Sequence, residues 1–421
     1  MMREEGFYDK INPIMVFGLN NKNRNINVSE AQVDEFLSRG VEDVFVKDDL
    51  RKKLLGGKVL RIKLGVDPTS PHIHIGRAIP LRKLRKLQDM GHQVVFLVGD
   101  FTALIGDASD KLSKRPMLTA EQVNLNLKTY KEQVGKILDL KKAEFHYNSK
   151  WLSKLNFKDV CELAETFTLQ QMIERRNFKD RIEKGEEISL RELMYPLMQG
   201  YDSVALKADI EIGGFDQLFN LKAGRVIQRH FGQPEQNIIT FKMLSGTDGR
   251  KMSSSWGNII AINDAPNDMY GKVMSIKDEL LEEYFLMTTD RTMEFIEDAK
   301  NKIGAGTNPK ELKMLLARDI VTMFHGEAAG KKAEENFVSV FSNKETPKDV
   351  PKIKYADGEL LSDVLVKNKT LSSKSDFARL VKEGAITNLD TNEKVPDIHF
   401  KAIEGTYKIG KHRFVKIINN K

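Results

Sequence analysis

The sequence predicts an α/β protein: a doubly wound parallel sheet, then an α-helical domain, then a small α+β module. Three observations carry this. First, VLRIKLGV from Val59, the turn DPTSP from Asp67, AIPLRKLRKLQDMG and QVVFLVG read as strand, loop, helix and strand, a βαβ unit. Second, residues 265–340 are mostly helical and charged. Third, residues 351–421 hold 14 Lys and Arg against 9 Asp and Glu, so most of the chain's net charge of +7 falls there. A nearly neutral body with a basic tail points to a polyanionic partner for the tail.

A length of 421 residues suits two or three domains. The longest strongly apolar run, Val94 to Gly99, is far short of the ~20 residues a membrane span needs. The N-terminus MMREEGFYDK lacks the apolar core of a secretory signal. The lone Cys161 excludes a disulfide framework and a cysteine zinc site, and within VCELAE it reads as a small buried residue. The expectation is a soluble cytoplasmic protein with no membrane segment.

In chain order, residues 1–32 form a polar, Asn-rich extension, loosely ordered or wrapped on the surface. Residues 33–258 hold the sheet. VLRIKLGV alternates apolar and polar residues as a strand does. In the helix that follows, Leu81, Leu84 and Leu87 share one face, Arg82, Lys83, Arg85 and Lys86 fill the others, and Gly91 stops it. QVVFLVG is the continuous apolar run of a buried parallel strand. TAEQVNLNLKTYKEQVGKILDL predicts one long helix, with Thr119 and Gln122 as its capping box. Val123, Leu127, Tyr130, Val134 and Ile137 form its stripe. Further helices are expected over 157–184 and 190–207, and short strands at 209–213 and in NIITFKML. Residues 259–340 form the helical domain. Residues 341–354 are a linker broken by Pro347 and Pro351, and 355–421 form the terminal module.

Two loops carry candidate chemistry. DPTSPHIHIGRA (67–78) lies where a strand turns into a helix, the ligand-binding end of a doubly wound sheet. Backbone N–H groups at a helix N-terminus favour phosphate, and His74 can donate to a phosphate oxygen as charge develops. A His-x-Gly sequence by itself far more often marks a structural or surface histidine, and its position directly after a strand and the DPT turn is what favours the site. DGRKMSSS (248–255) is a glycine-flanked loop in which Lys251 is a point charge able to follow a phosphate. By itself it equally describes a solvated basic loop.

The pair, about 175 residues apart and each beside a strand, resembles the HIGH and KMSKS signatures of the class I aminoacyl-tRNA synthetases. KLGVDPTSP, LVGDFTALIGDAS, YPLMQGYD, GGFDQLFN and KMSSSWGN, in that order, resemble the motifs of bacterial tyrosyl-tRNA synthetases. The resemblance runs from about Val33 to the end of the chain. It implies a Rossmann-type catalytic domain that joins L-tyrosine to ATP, releases pyrophosphate and transfers the tyrosyl group to the 3′-terminal ribose of tRNA(Tyr). Such steps run mainly on positioning and charge stabilisation. ATP is then a substrate that brings Mg²⁺ with it, and the sequence shows no metal cage.

Carried over by resemblance, Thr69 and His74 contact the departing phosphates, and Lys251 closes over them with Met252, Ser253, Ser254 and Ser255. Gly76 and Arg77 lie against the nucleotide. Asp216 binds the ribose, with Gly213 and Gly214 allowing close backbone approach. Tyr195, Gln199 and Asp202 are spaced to share one helix face. Such a trio is usually a solvent face, but Leu193, Leu197, Met198 and Val204 around it favour a buried pocket. By resemblance, Tyr195 and Gln199 hold the α-amino group and Asp202 accepts from the phenolic hydroxyl. Asp107 and Gln217 match further substrate positions, and Asp67 lies beside the amino group. A buried carboxylate that needs a hydroxyl partner rejects phenylalanine, and tyrosyl-tRNA synthetases are themselves the standing example of that logic.

Four positions depart from the family pattern. Arg77 replaces the second histidine of HIGH, Ser254 the second lysine of KMSKS, and Phe215 a small polar residue. Lys63 stands where some members place a tyrosine that reads the substrate hydroxyl. These touch rate and phosphate geometry more than substrate identity.

LSDVLVKNKTLSSKSDFARLVKEGAI (361–386) reads as helix, turn, helix. Leu371, Phe377, Ala378 and Leu380 face inward, and Lys374, Arg379 and Lys382 are cationic. YKIGKHRFVKI (407–417) reads as a closing strand with Lys408, Lys411, Arg413 and Lys416. The segment resembles the RNA-binding domain shared with ribosomal protein S-four, which implies tRNA contacts by Lys374, Arg379, Lys382, Lys411 and Arg413. The family's homodimer is expected too. A tryptophanyl enzyme would lack the Tyr-x₃-Gln-x₂-Asp trio and the basic module. A non-catalytic RNA-binding protein of the same fold is the rival that Arg77 favours.

Overall fold

The computed structural model describes residues 26, 28–107, 118–342, 350–368, 370–371, 373–410 and 413–420. The expectations for Lys411, for most of the linker and for most of the N-terminal extension lie outside them. The chain divides into two compact units. The first runs up to Gly246 and adds Arg250–Asn263 and Leu286–Thr288; the second holds Thr247–Gly249, Asp264–Phe285 and residues from Thr289 onward.

The first unit is built on a six-stranded sheet of β1 (Val41–Phe45), β2 (Arg61–Val66), β3 (Gln93–Val98), β4 (Glu144–Tyr147), β5 (Ile210–Gly214) and β6 (Asn237–Phe241), ordered β1-β6-β5-β2-β3-β4. β1 runs antiparallel to β6 and every other pairing is parallel. Every residue of β3 and β6 is buried, as strands covered on both faces require. Strand order reverses at β2. β2 and β5 pair only at Ile62↔Ile210 and Lys63↔Glu211, then part. Their diverging C-terminal ends are the topological switch point, where a doubly wound sheet opens a crevice.

Helices α1 (Glu30–Ser38) and α2 (Lys47–Leu55) flank β1, and α3 (Ile75–Asp89) joins β2 to β3. α4 (Thr102–Ile105), α5 (Ala120–Leu127) and α6 (Tyr130–Gly135) lead to β4. α7 (Ser149–Leu152), α8 (Phe157–Ala164), α9 (Leu169–Ile173), α10 (Arg176–Glu183) and α11 (Leu190–Leu206) lead to β5, and α12 (Leu218–His230) to β6. Gly200 lets α11 and α12 touch, since a Cβ there would stand 2.6 Å from Ile227 Cδ1.

Several expectations are corrected. The long helix after Thr119 keeps its capping box but breaks between α5 and α6. The break lets Asn126 Nδ2 and Gln133 Nε2 donate to the carbonyls of Pro68 and Pro71, each at 2.8 Å. Residues 157–184 are three short helices, because Thr168 starts a new capping box with Gln171. Cys161 is exposed rather than buried; α8 turns Asp159 and Leu163 inward instead. Lys83 points inward, and its ammonium donates to the carbonyls of Arg39 (2.5 Å) and Phe36 (3.3 Å) at the end of α1. Burial pushes its pKa down to about 7.

Beyond β6 come α13 (Pro266–Met274), α14 (Leu281–Thr288), α15 (Met293–Gly304), α16 (Lys310–His325) and α17 (Glu327–Ser342). α13, α16 and α17 pack on one another around Leu316, Ala317, Ile320 and Val321. The C-terminal module is a second sheet of β7 (Lys352–Tyr355), β8 (Ile386–Asn388), β9 (Glu393–Lys394), β10 (Gly405–Ile409) and β11 (Arg413–Asn419), ordered β7-β11-β10-β8-β9. α18 (Leu361–Lys367) and α19 (Lys374–Lys382) share its core, which includes Leu365, Leu371, Phe377 and Tyr407. The expected closing strand is a hairpin, β10 with β11. Gly410 at φ 65° supplies the left-handed turn.

Candidate active site

A cavity of about 580 Å³ opens where β2 and β5 part, within the range of small-molecule sites. Its walls are the loop after β2, the loop after β5, one face of α11 and the segment after β6.

At one end lie the two loops singled out above. His74 caps α3, its Nδ1 accepting the Arg77 backbone N–H at 3.3 Å. The proton of the neutral ring therefore sits on Nε2. Burial, with Arg77 and Lys251 nearby, holds the imidazole down at about 3, so at neutral pH His74 is an uncharged donor. Gly76 leaves room for this, since a Cβ there would stand 3.1 Å from His74 Nδ1. Thr69 Oγ1 accepts from Arg77 Nη2 at 3.0 Å. Arg77 Nη1 is buried without a partner among the described residues.

The second loop is tied to the first by backbone. Ile75 N–H donates to the Ile260 carbonyl and Ile262 N–H to that of Ile73, both at 2.9 Å, with His74 and Ala261 bridged between them. Asn258 fixes the loop from inside, donating to the Lys251 carbonyl at 3.1 Å and accepting from Ser253 N–H at 2.9 Å. Lys251 Nζ lies 3.2 Å from Asp216 Oδ2. Ser253 and Ser254 line the cavity with it; Met252 is buried, and the side chain of Ser255 lies outside the described residues. Gly214 frees space for Asp216, whose Oδ1 a Cβ would approach to 2.6 Å.

The other end is acidic and hydrogen-bonded. Tyr195 donates its hydroxyl to Asp67 Oδ2 at 2.9 Å. Burial, reinforced by Asp67 and Asp107, raises that hydroxyl well above its ordinary value, so it remains a donor. Thr102 donates to Asp67 Oδ1 at 2.7 Å. Gln217 donates to Asp107 Oδ2 at 2.7 Å, and Arg175, stacked on Phe178 and Phe219, lies 3.9 Å from Asp107 Oδ1. Gln199 donates to Glu211 Oε1 at 3.3 Å. Asp202 is 3% exposed and accepts from Trp151 Nε1 (2.7 Å) and Asn148 Nδ2 (3.2 Å). Burial pushes its carboxyl up to about 7, opposed by Lys63 and these two donors.

All the residues expected for ATP and amino-acid contact, apart from the Ser255 side chain, thus border this cavity. Sequence reasoning missed Asn148, Trp151, Arg175 and Glu211. Glu211 had a signal, a lone carboxylate inside the apolar strand IEIGG. Asn148 and Trp151 follow β4, itself too short to read. Of the departures, Phe215 is 45% exposed, while Lys63 is 1% exposed and is not part of the cavity wall.

In the C-terminal module Lys374 pairs with Asp363 at 2.6 Å. Arg379 pairs with Asp376 and Glu383 at 2.6 and 2.9 Å. Arg413 donates to the Thr370 carbonyl at 3.0 Å, and Lys382 is exposed.

The cavity thus joins a phosphate-suited end of neutral and cationic donors to an end suited to an ammonium group and a hydroxyl. A family model described as tRNA synthetases class I (W and Y) matches residues 56–342. The tyrosine–tRNA ligase of Thermotoga maritima is 46% identical over 393 residues, 92% of this chain and 97% of that protein. That of Carboxydothermus hydrogenoformans is 45% identical over 404 residues, 92% and 98% of the two. Among solved structures, a C-terminally truncated mitochondrial tyrosyl-tRNA synthetase of Aspergillus nidulans aligns with TM-score 0.60 at 22% identity, covering 76% of this chain and 95% of that one. The tyrosyl-tRNA synthetase of Archaeoglobus fulgidus complexed with L-tyrosine aligns at 0.59 and 21%, covering 73% and 100%. The two structures share the fold.

Proposed function

The chain belongs to the class I tRNA synthetases of the W and Y family and its activity is tyrosine–tRNA ligation, and from there we propose how its cavity divides the work. Tyrosine lies with its phenol at Asp202 and its ammonium group among Asp67, Asp107, Tyr195, Gln199 and Gln217. ATP lies with its ribose at Asp216 and its phosphates between the two loops. A carboxylate oxygen of tyrosine bonds to the α-phosphorus as the bond to the bridging oxygen breaks, and pyrophosphate leaves with the electron pair. The 3′-ribose hydroxyl of tRNA(Tyr) then attacks the acyl carbon and AMP departs.

No covalent enzyme intermediate is needed. His74 Nε2–H, Thr69, Arg77 and Lys251 stabilise charge on the phosphates. Mg²⁺ arrives on ATP as its counter-ion. For Lys251 to reach the phosphates it exchanges its contact with Asp216 for them, which frees that carboxylate for the ribose. The supporting observation is the placement of His74 and Lys251 at one end, and Tyr195 and Asp202 at the other, of one cavity. ATP–pyrophosphate exchange tests it: tyrosine should support exchange, and exchange with tryptophan alone would overturn it.

A pH dependence follows from Asp202. Its carboxyl titrates at about 7, and the ionised form is the stronger acceptor. As pH falls through that value the carboxylate gives way to the neutral, weaker acceptor. The kcat/KM for tyrosine should therefore rise about tenfold from pH 6 to 8, and Asp202→Asn should flatten that limb. A tyrosine kcat/KM constant over this interval would contradict the assignment.

The C-terminal module is read as the tRNA-holding element, related to ribosomal protein S-four, with Lys382 and neighbouring cations facing phosphate. Deleting residues 352–421 should lower tRNA charging by roughly a hundredfold while exchange stays within about twofold. Equal loss of both would make the module structural. The enzyme is proposed to be a homodimer. Phe157, Leu169 and Leu190 are 83%, 59% and 78% exposed, and they are the apolar side chains proposed to meet the second subunit. Leu190→Asp should halve the mass seen by sedimentation; an unchanged mass places the interface elsewhere. No helix among the described residues is long and apolar enough to cross a membrane, and the cytoplasm, where tRNA is charged, is the proposed location.

A further inference from the structure

Lys63 and Glu211 face each other across the last rung that joins β2 to β5, and both side chains are 1% exposed. The ammonium group of Lys63 reaches three acceptors: Ser203 Oγ at 2.7 Å, Glu211 Oε1 at 2.9 Å and the Gln199 carbonyl at 3.1 Å. Glu211 is equally well filled. Its Oε1 also accepts from Gln199 Nε2 at 3.3 Å, and its Oε2 accepts from Gln236 Nε2 at 2.5 Å and Ser203 Oγ at 3.1 Å. Beyond this rung the strands separate into the walls of the cavity.

A buried ion pair contributes little net stability compared with apolar side chains of similar volume. This one touches α11 at Gln199, through both backbone and side chain, and at Ser203, the residue after Asp202. The two charges also act on Asp202 in opposite senses, Lys63 favouring its ionised form and Glu211 opposing it. We infer that the Lys63–Glu211 pair positions the tyrosine subsite: it fixes the Gln199 amide and the Asp202 turn of α11, with Lys63 behind the cavity wall and Glu211 at its edge. This rests on the assignment of Gln199 and Asp202 to tyrosine. Lys63 and Glu211 are positioning residues, and they act on amino-acid selection rather than on ATP.

The test is Lys63→Met/Glu211→Gln in the full-length enzyme, which removes both charges at nearly constant volume. KM for tyrosine should rise about tenfold while KM for ATP stays within about twofold, and the tyrosine-over-phenylalanine ratio of kcat/KM should fall about tenfold. Unchanged tyrosine KM, or parallel changes in both KM values, would overturn the inference. Should that variant fail to fold, Lys63→Arg decides. It keeps the charge but cannot place one ammonium among three acceptors, so it should show the same selective rise, and unchanged tyrosine KM would overturn the inference. The wild-type enzyme in the same assay separates the two levels. Failure to use tyrosine would overturn the site assignment and the inference with it; normal use of tyrosine beside unaffected variants would overturn the inference alone.

Discussion

His74→Ala is expected to lower ATP–pyrophosphate exchange by two to three orders of magnitude, roughly the effect of removing one preorganised donor from a transition state, with tyrosine affinity by calorimetry unchanged. The ring is held by the α3 N-terminus through Nδ1, so Nε2–H is aimed before substrate arrives. Because burial keeps the imidazole neutral down to about pH 3, it acts as a hydrogen-bond donor and not as a proton source. Exchange by the wild type should therefore show no limb near pH 6.5 that His74→Ala abolishes. His74→Gln places an amide N–H near the Nε2 position and should recover part of the loss. A His74→Ala enzyme with near-normal exchange would remove His74 from the reaction.

Asp202→Ala should collapse the preference for tyrosine over phenylalanine by about a hundredfold, through loss of tyrosine kcat/KM together with a gain for phenylalanine. The wild-type carboxylate is held by Trp151 and Asn148 from one side, with a face toward the cavity. A phenol offers it a proton; a phenyl ring leaves it buried and short of a partner. Removing the carboxylate removes both the reward and the penalty. If the preference survives, another group reads the hydroxyl.

The readable parts of the fold were those with strong local patterning. β2, α3 and β3 show themselves because Leu81, Leu84 and Leu87 repeat at helical spacing between two apolar strands. β1 was hidden because Glu42 and Asp43 are exposed in its middle, as an edge strand allows, and β4 because four half-buried residues carry no period. Lys83 looked like solvent-facing charge; only the tertiary structure shows that the carbonyls ending α1 need its ammonium. The loop residues of the site stood out because glycine and proline punctuate them. Asn148 and Trp151 reach Asp202 across 54 and 51 positions of sequence and Lys63 reaches Ser203 across 140, and no local pattern marks such contacts. The basic tail was legible as composition, but the structure ties Lys374, Arg379 and Arg413 to neighbours within the module, so composition overstated what each cation offers to RNA.

One cavity is proposed to hold tyrosine and the nucleotide end to end. A crystal structure with a non-hydrolysable sulfamoyl analogue of tyrosyl-adenylate measures this directly. The phenol should lie within hydrogen-bond distance of Asp202, the amino group beside Asp67, Tyr195 and Gln199, the ribose at Asp216, and the sulfamoyl group toward His74, with Lys251 drawn off Asp216. A phenol pointing away from Asp202, or an analogue bound outside the β2–β5 cleft, would contradict it.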